Sequence, residues 1–392
     1  MSLHDTTEFA KKAGIFLSIF LCVALLLMIF FKVGGFIRAI LFPPKISSPN
    51  EAYGKLPPIA FPKSNVTGPF TYSINTLNGS LPQDLPDRLI VYPMIISEPN
   101  LLDLKNAESA ISNLGFVDSS GNPLPPSSVS GPDYGWIETT PDGNGFENTM
   151  NYNIITQNFT MTSNYLTQLS VLQAQNIQDM NDPTGAIPTV QNFLNSLDAF
   201  PTDIDLTLTQ NQSQSGYTTI PLLYSVTAGQ LTPATAIATA QVIRVDLYQS
   251  EVDYSLTAGQ GQDPTQFANF DLKLPIVYPH PPYSTMNFLV ASGQNQANVV
   301  EANFNHQTVN FQPSTQATYP IKTAQQAFDD LKNGKGYIAS YTGTGNQISI
   351  TNVFLAYYMG TAQQNYLIPI VVFQGQNGFF AYVPAVTDDA ME

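Results

Sequence analysis

Apolar and polar residues fall into two regimes along the chain. From Gly14 to Phe31 the sequence GIFLSIFLCVALLLMIFF carries no charge over about 18 residues. That is the length needed to cross a hydrocarbon core of about 30 Å at about 1.5 Å per residue. Backbone groups in lipid must be satisfied internally, so the pattern predicts a transmembrane helix. Lys11 and Lys12 flank one end; Lys32, Arg38 and Lys45 flank the other, with Arg38 placed to snorkel from FIRAILF. No A-x-A-like cleavage site follows, which favours an uncleaved signal anchor over residues 13–42, with 1–12 as a cytoplasmic tail.

Beyond Pro43–Pro44, which stop the helix, the pattern shortens. Residues 43–69 are rich in proline and read as a stiff stalk. A first folded region is expected over 70–206. It has strands at Phe70–Leu77 and Arg88–Ile96, then a helix capped by Asp103 with Leu104, Ala107, Ile111 and Leu114 on one face and Gly115 as its stop. Strands near Thr149–Ile155 and Phe159–Thr162 precede a helix at Pro188–Phe200 that buries Val190, Phe193, Leu194 and Leu197. A second region, 207–386, has a capping box at Thr323–Gln326 opening the helix Ala324–Asn333. Strands follow at Gln347–Tyr358, Tyr366–Gln374 and Phe379–Val386, the last two joined through Asn377-Gly378, a strong hairpin signature. Residues 387–392 form an acidic tail. A helix packed over antiparallel strands is an α+β unit. The predicted fold class is therefore α+β: an N-terminal transmembrane helix followed by two antiparallel-sheet-plus-helix domains.

Composition narrows the function classes. The chain carries a formal charge of −15, and charged residues make up only 11% of it. After Lys45 there are 9 basic and 27 acidic residues, a net charge of −18, and no Lys or Arg lies between Lys105 and Arg244. Such a surface repels phosphate backbones and anionic headgroups, so nucleic acid is not an expected partner. Cys22, inside the apolar run, is the single cysteine. The rest of the chain therefore has no disulfide, thiolate metal site or Cys nucleophile. Sequons begin at Asn65, Asn78, Asn158 and Asn211, as chance allows in a chain rich in Asn and Thr.

The segment TAQQAFDDLKNGKGYI…ITNVFLAYYMG…YLIPIVVFQGQNGFFAYVPAV, Thr323–Val386, resembles the C-terminal part of YycH/YycI-type and PepSY-like envelope proteins. An alanine-bearing helix leads to a strand ending in Tyr357–Tyr358, a Leu367–Pro369 strand and a closing Tyr382–Val383 strand. AYGKLPPIAFP, Ala52–Pro62, is also similar to stalks of uncharacterised single-pass proteins of candidate-phylum bacteria. The first resemblance implies a single N-terminal transmembrane helix, a two-domain plan and a role in modulating membrane-bound sensor kinases.

Catalytic chemistry finds little support. His280 (YPHPP) reads as a rigid exposed turn and His306 (FNHQTVNF) as part of an alternating strand. No G-x-S-x-G, H-E-x-x-H, Walker A or G-x-G-x-x-G motif occurs. Asp203 and Asp205 would share one face of a strand, suited to Ca²⁺ or to acid–base work; Asp142 and Asn144 sit in a run with oxygen ligands at alternate positions, like a truncated calcium loop. Both are also what plain turns and solvated strand edges look like. The 19 Tyr and 24 Phe can line a ligand groove or fill sheet cores.

The sequence thus reads as a non-enzymatic, single-pass protein of the bacterial envelope. It is anchored through Gly14–Phe31 with Lys32 and Arg38 at the boundary, and its C-terminal domains are extracytoplasmic. It is expected to bind or regulate a membrane or envelope protein partner, with no cofactor beyond a possible Ca²⁺ and no oligomeric state specified. The alternatives are a carboxylate-dependent envelope hydrolase and an adhesin or surface-layer component.

Overall fold

Burial with a period of two organises the chain. In Asn148–Asn153 the residues Asn148, Met150 and Tyr152 point inward while Thr149 and Asn151 face solvent, as in a strand covered on one side. Phe159–Ser163 repeats this with Phe159 and Met161 inward. Tyr366–Gly375 is different: Leu367 to Phe373 are all buried, which marks a strand covered on both faces. The structure, a computed structural model, describes residues 49–66, 68–138, 145–168, 172, 183–204, 206, 221–254, 272–292 and 297–392.

These strands assemble into two large sheets. Sheet I runs in the order Thr71–Ile74, Gln347–Tyr358, Tyr366–Gly375, Phe379–Pro384 and Tyr337–Ser340. Ile276–Val277 pairs with the end of Gln347–Tyr358, while Arg88–Pro93 joins Tyr366–Gly375 and carries Ala317–Pro320 on its other edge. Sheet II has nine antiparallel strands in the order Ser128–Ser130, Asp133–Ile137, Asn148–Asn153, Phe159–Ser163, Ala297–Phe304, Met286–Ser292, Val242–Leu247, Leu222–Thr227 and Gln230–Pro233. Both sheets draw strands from either side of residue 206, and the described residues all belong to one compact unit, Pro49–Ser255 with Phe270–Glu392.

Three α-helices are described: α1 (Asp103–Ser112), α2 (Ala186–Ser196) and α3 (Ala324–Lys332). α2 lies on sheet II, where Phe193 meets Phe159 and Phe288 at ring distances of 6.0 and 6.2 Å. α3 lies on sheet I through Phe328 and Phe373. The helices fall where the apolar stripes place them, but Asp103 is not a cap. Leu102 holds the N-cap position, and the Asp103 carboxylate accepts from the Asn100 N–H at 2.6 Å instead.

Two expectations need correction. The fold is mainly β, not an α+β pair of sheet-plus-helix domains. Three helices of nine to eleven residues accompany two sheets with eight and nine strands. The helix signatures are local and strong, whereas several of the pairings that join the hairpins into sheets, such as Thr71–Ile74 with Gln347–Ile350, link segments far apart in sequence, so the sequence over-weighted the helices. The second correction concerns the transmembrane helix and signal anchor. Among the described residues no helix is long and apolar enough to cross a membrane. The longest, α2, spans about 16 Å at about 1.5 Å per residue, roughly half a hydrocarbon core. Gly14, Phe31, Lys32 and Arg38 lie outside the described residues.

The proline-rich run after position 49 is packed on sheet I. Asn50 and Glu51 donate to the Thr318 hydroxyl and carbonyl at 3.0 and 3.1 Å. The Tyr53 hydroxyl donates to the Thr315 carbonyl. Leu56, with no exposed surface, donates to Ala390 and accepts from the Glu392 N–H, each at 2.9 Å. Phe61 stacks on Tyr337 at 5.1 Å, and the Ser64 hydroxyl reaches the Ile338 carbonyl at 2.6 Å. Proline-rich backbone has few donors to satisfy, so it can cross a sheet on side-chain contacts and scattered hydrogen bonds. Asp388 of the C-terminal acidic run is engaged as well: Lys322 bridges it and Asp330 at 2.6 and 2.8 Å, and Lys335 bridges the same two carboxylates.

Candidate functional site

Two turns carry the walls of the main cleft. The hairpin after Asn153 is held by the Asn153 side chain, which accepts from the N–H groups of Ile155 and Thr156 at 3.1 and 2.9 Å. It is closed by Gln157 at φ 61°. α2 ends through Asp198 at φ 52°, with the Asp198 N–H on the Asn195 carbonyl and the Ala199 N–H on the Leu194 carbonyl, both at 3.0 Å. Glycine is the usual residue at such a left-handed helix end. Non-glycine residues in this region hold strain that tends to collect where side chains are needed.

The chain leaving α2 is then pinned to a neighbour. Ile204 bridges Gln249, and the Ser250 N–H donates to the Asp203 carbonyl at 2.7 Å. This brings Asp203 against His306, 103 positions later, with Oδ1 2.8 Å and Oδ2 3.1 Å from Nε2. The Gln249 amide donates to Oδ2 at 2.7 Å and to the Gln307 carbonyl at 3.1 Å. Gln249 is itself held by its N–H on the Tyr278 hydroxyl at 3.1 Å, and the His306 N–H donates to Asn158 Oδ1 at 2.9 Å. Burial pushes the Asp203 carboxyl up, but hydrogen bonds from His306 and Gln249 and the charge of His306 outweigh it and hold it below its ordinary value. Burial also pushes the Tyr278 hydroxyl well up.

Around this pair lies a cleft of about 590 Å³, within the size range of ligand sites. Its rim carries the exposed side chains Ser97, Gln157, Thr202, Thr308, Thr361 and Gln363. None of the six makes a side-chain hydrogen bond among the described residues. Phe311, 43% exposed, stands on the same rim and is braced edge-on by Tyr92 at 5.0 Å. Gln307 and Gln364 line the cleft too, but they are committed to holding the 359–364 loop: Gln307 donates to the Gly360 and Ala362 carbonyls at 2.9 and 3.0 Å, and Gln364 accepts from the Gly360 N–H at 2.6 Å. Asn305 Oδ1 is buried with no partner among the described residues, an orphan of the kind that functional sites retain.

A second hollow of about 390 Å³ adjoins, with Asn106, Ser109 and Tyr152 in its wall. Gln157 and Asp198 border both spaces. Burial, with Asp198 and Asp103 nearby, pushes the Tyr152 hydroxyl up to about 12.

Of the residues singled out from the sequence, Asp203 stands at the centre of the cleft. Asp205, Asp142 and Asn144 lie outside the described residues. Among those described, no group of three His, Cys, Asp or Glu is gathered closely enough to hold a metal ion. His280 occupies an exposed turn bridged to Tyr283, as its prolines predict. His306 was read as a strand residue; the strand stops at Phe304 and the side chain turns to Asp203. Sequence reasoning also missed Gln249, Asn158, Gln157 and Asp198. Nothing local distinguishes their amides and carboxylate from those of any other polar loop.

Comparison of the sequence with known families and with curated proteins finds no match. Among solved structures, a similar one is an uncharacterized protein from Eubacterium rectale ATCC 33656, at 10% identity over 77% of this chain and 84% of that one, with a TM-score of 0.27. A likeness at that score carries no argument about fold or function.

Proposed function

We propose that this is a non-enzymatic binding protein that receives its partner in the cleft around Asp203 and His306. The observation that carries the reading is the uncommitted polarity of the rim. Six exposed hydroxyl and amide side chains face a space of about 590 Å³ and have no hydrogen bonds of their own among the described residues. The ionisable groups beneath them are already spent on one another. Both oxygens of Asp203 accept from His306, and Gln249 takes a further position. A carboxylate so engaged fixes geometry, whereas a general acid or base needs a free path to the proton it moves.

A thermal-shift screen of the full chain against oligosaccharides and peptides tests this. A ligand should raise the melting temperature of the wild type and leave the Gln157→Ala/Gln363→Ala variant unmoved. Turnover of any bound compound that vanishes in Asp203→Asn would instead favour a carboxylate-dependent hydrolase.

A further inference from the structure

We infer that the ligand is a neutral glycan chain, and that it runs from the main cleft across the Gln157–Asp198 ridge into the second hollow. The inference rests on the binding reading above and adds the ligand's chemistry and path.

The donor and acceptor set points to a polyhydroxylated, uncharged ligand. Sugar hydroxyls both donate and accept, and so do the hydroxyls and amides of Ser97, Gln157, Thr202, Thr308, Thr361 and Gln363. Asp203 is locked by His306 and Gln249 yet remains 24% exposed at its side chain. Of its roughly four acceptor positions three are taken, so it can accept from one ligand hydroxyl. No Lys or Arg lines either hollow among the described residues, and Asp198 and Asp203 stand beside the ligand path. An acidic or phosphorylated glycan would meet like charge with no Lys or Arg to offset it, and the His306 imidazole is already paired with Asp203. Phe311 offers an apolar ring at the rim, already braced by Tyr92. A pyranose ring has a C–H-rich face that packs on such a surface, whose negative π-face favours those hydrogens.

The path comes from the shared wall. Gln157 and Asp198 line both hollows, and both hold left-handed backbone that non-glycine residues adopt at a cost. Beyond them, Asn106 and Ser109 are exposed three positions apart on α1, so they present their polar groups side by side. A disaccharide would occupy the main cleft alone; a longer chain would reach α1.

Isothermal titration of the full chain with neutral cello-, malto-, xylo-, manno- and chito-oligosaccharides of two and six units tests the inference. One hexasaccharide should bind at least about tenfold more tightly than its disaccharide. Phe311→Ala should weaken both by about tenfold, the loss expected of one aromatic contact. Asn106→Ala should weaken the hexasaccharide and leave the disaccharide unchanged, with unaltered melting temperatures confirming that both variants fold. Equal affinity for two and six units, or an unchanged hexasaccharide affinity in Asn106→Ala, would overturn the path. Binding of peptides or acidic glycans with none of the neutral sugars would overturn the ligand class and leave the binding cleft standing. If no compound of any class binds, both readings fall.

Discussion

The Asp203 carboxylate takes its partners from segments 46 and 103 positions away in sequence. Asp205, which invited a paired-carboxylate reading, lies outside the described residues; among those described, the partners are His306 and Gln249. Because the folded carboxyl is held below its ordinary value of 3.8, its contribution to stability is present in full above that value. The contribution is lost as pH falls through the lower folded value. Asp203→Asn should therefore destabilise the protein at pH 7 by about 1–3 kcal/mol, the cost of breaking a buried charge-assisted hydrogen bond. The gap to wild type should narrow as pH falls below 3.8, where the unfolded chain protonates first, and close as the folded carboxyl protonates at its lower value; urea melts at a series of pH values from 7 downward would show it. Gln157 makes the opposite case. Its φ of 61° suits glycine, so Gln157→Gly should raise stability by about 0.5–1 kcal/mol in denaturant melts while removing a rim amide. Such a gain would identify the strain as retained for the cleft.

Among the secondary-structure elements, the readable ones are those whose determinants are close in sequence. Thr323 caps α3 with its hydroxyl accepting from the Gln326 N–H, while the Gln326 side chain accepts from the Thr323 N–H at 2.9 Å. All four groups lie within one turn. Thr323→Ala should cost about 1 kcal/mol by chemical denaturation. The hairpin at Asn377-Gly378 is equally local: both residues have positive φ, 54° and 64°, which a type I′ turn requires. Strand partners are another matter. Thr71–Ile74 pairs in parallel with Gln347–Ile350, and no pattern in either tetrapeptide announces the other. The sequence placed strands at both segments and could not place them in one sheet.

For the assembled protein, the decisive feature is how the two ends of the described chain meet. The 49–66 run crosses sheet I, and Leu56 locks to Ala390 and Glu392 with its side chain fully buried. Leu56→Ala should lower stability by about 2–5 kcal/mol, the usual cost of deleting a packed leucine side chain, measured as a drop in the urea midpoint. A free spacer would tolerate the change without loss. The proline content that suggested a spacer is real, but rigidity serves a strap as well as a stalk.

Sequence was sufficient for what short range controls: the three amphipathic helices, the α3 capping box, the Asn-Gly hairpin, the acidic and cation-poor surface, and the absence of thiol chemistry after Cys22. Each follows from residues within a few positions of one another or from simple counts. The mainly β architecture, the strap over sheet I and the convergence of Asp203, Gln249 and His306 were settled by long-range pairing. Closing a loop of a hundred or more residues costs entropy that only the assembled sheets offset, and no single segment encodes that balance. The cleft belongs to this second group. Its rim is made of ordinary Gln, Ser and Thr side chains, and it becomes a site because the two left-handed turns and the Asp203–His306 pair hold them around one space.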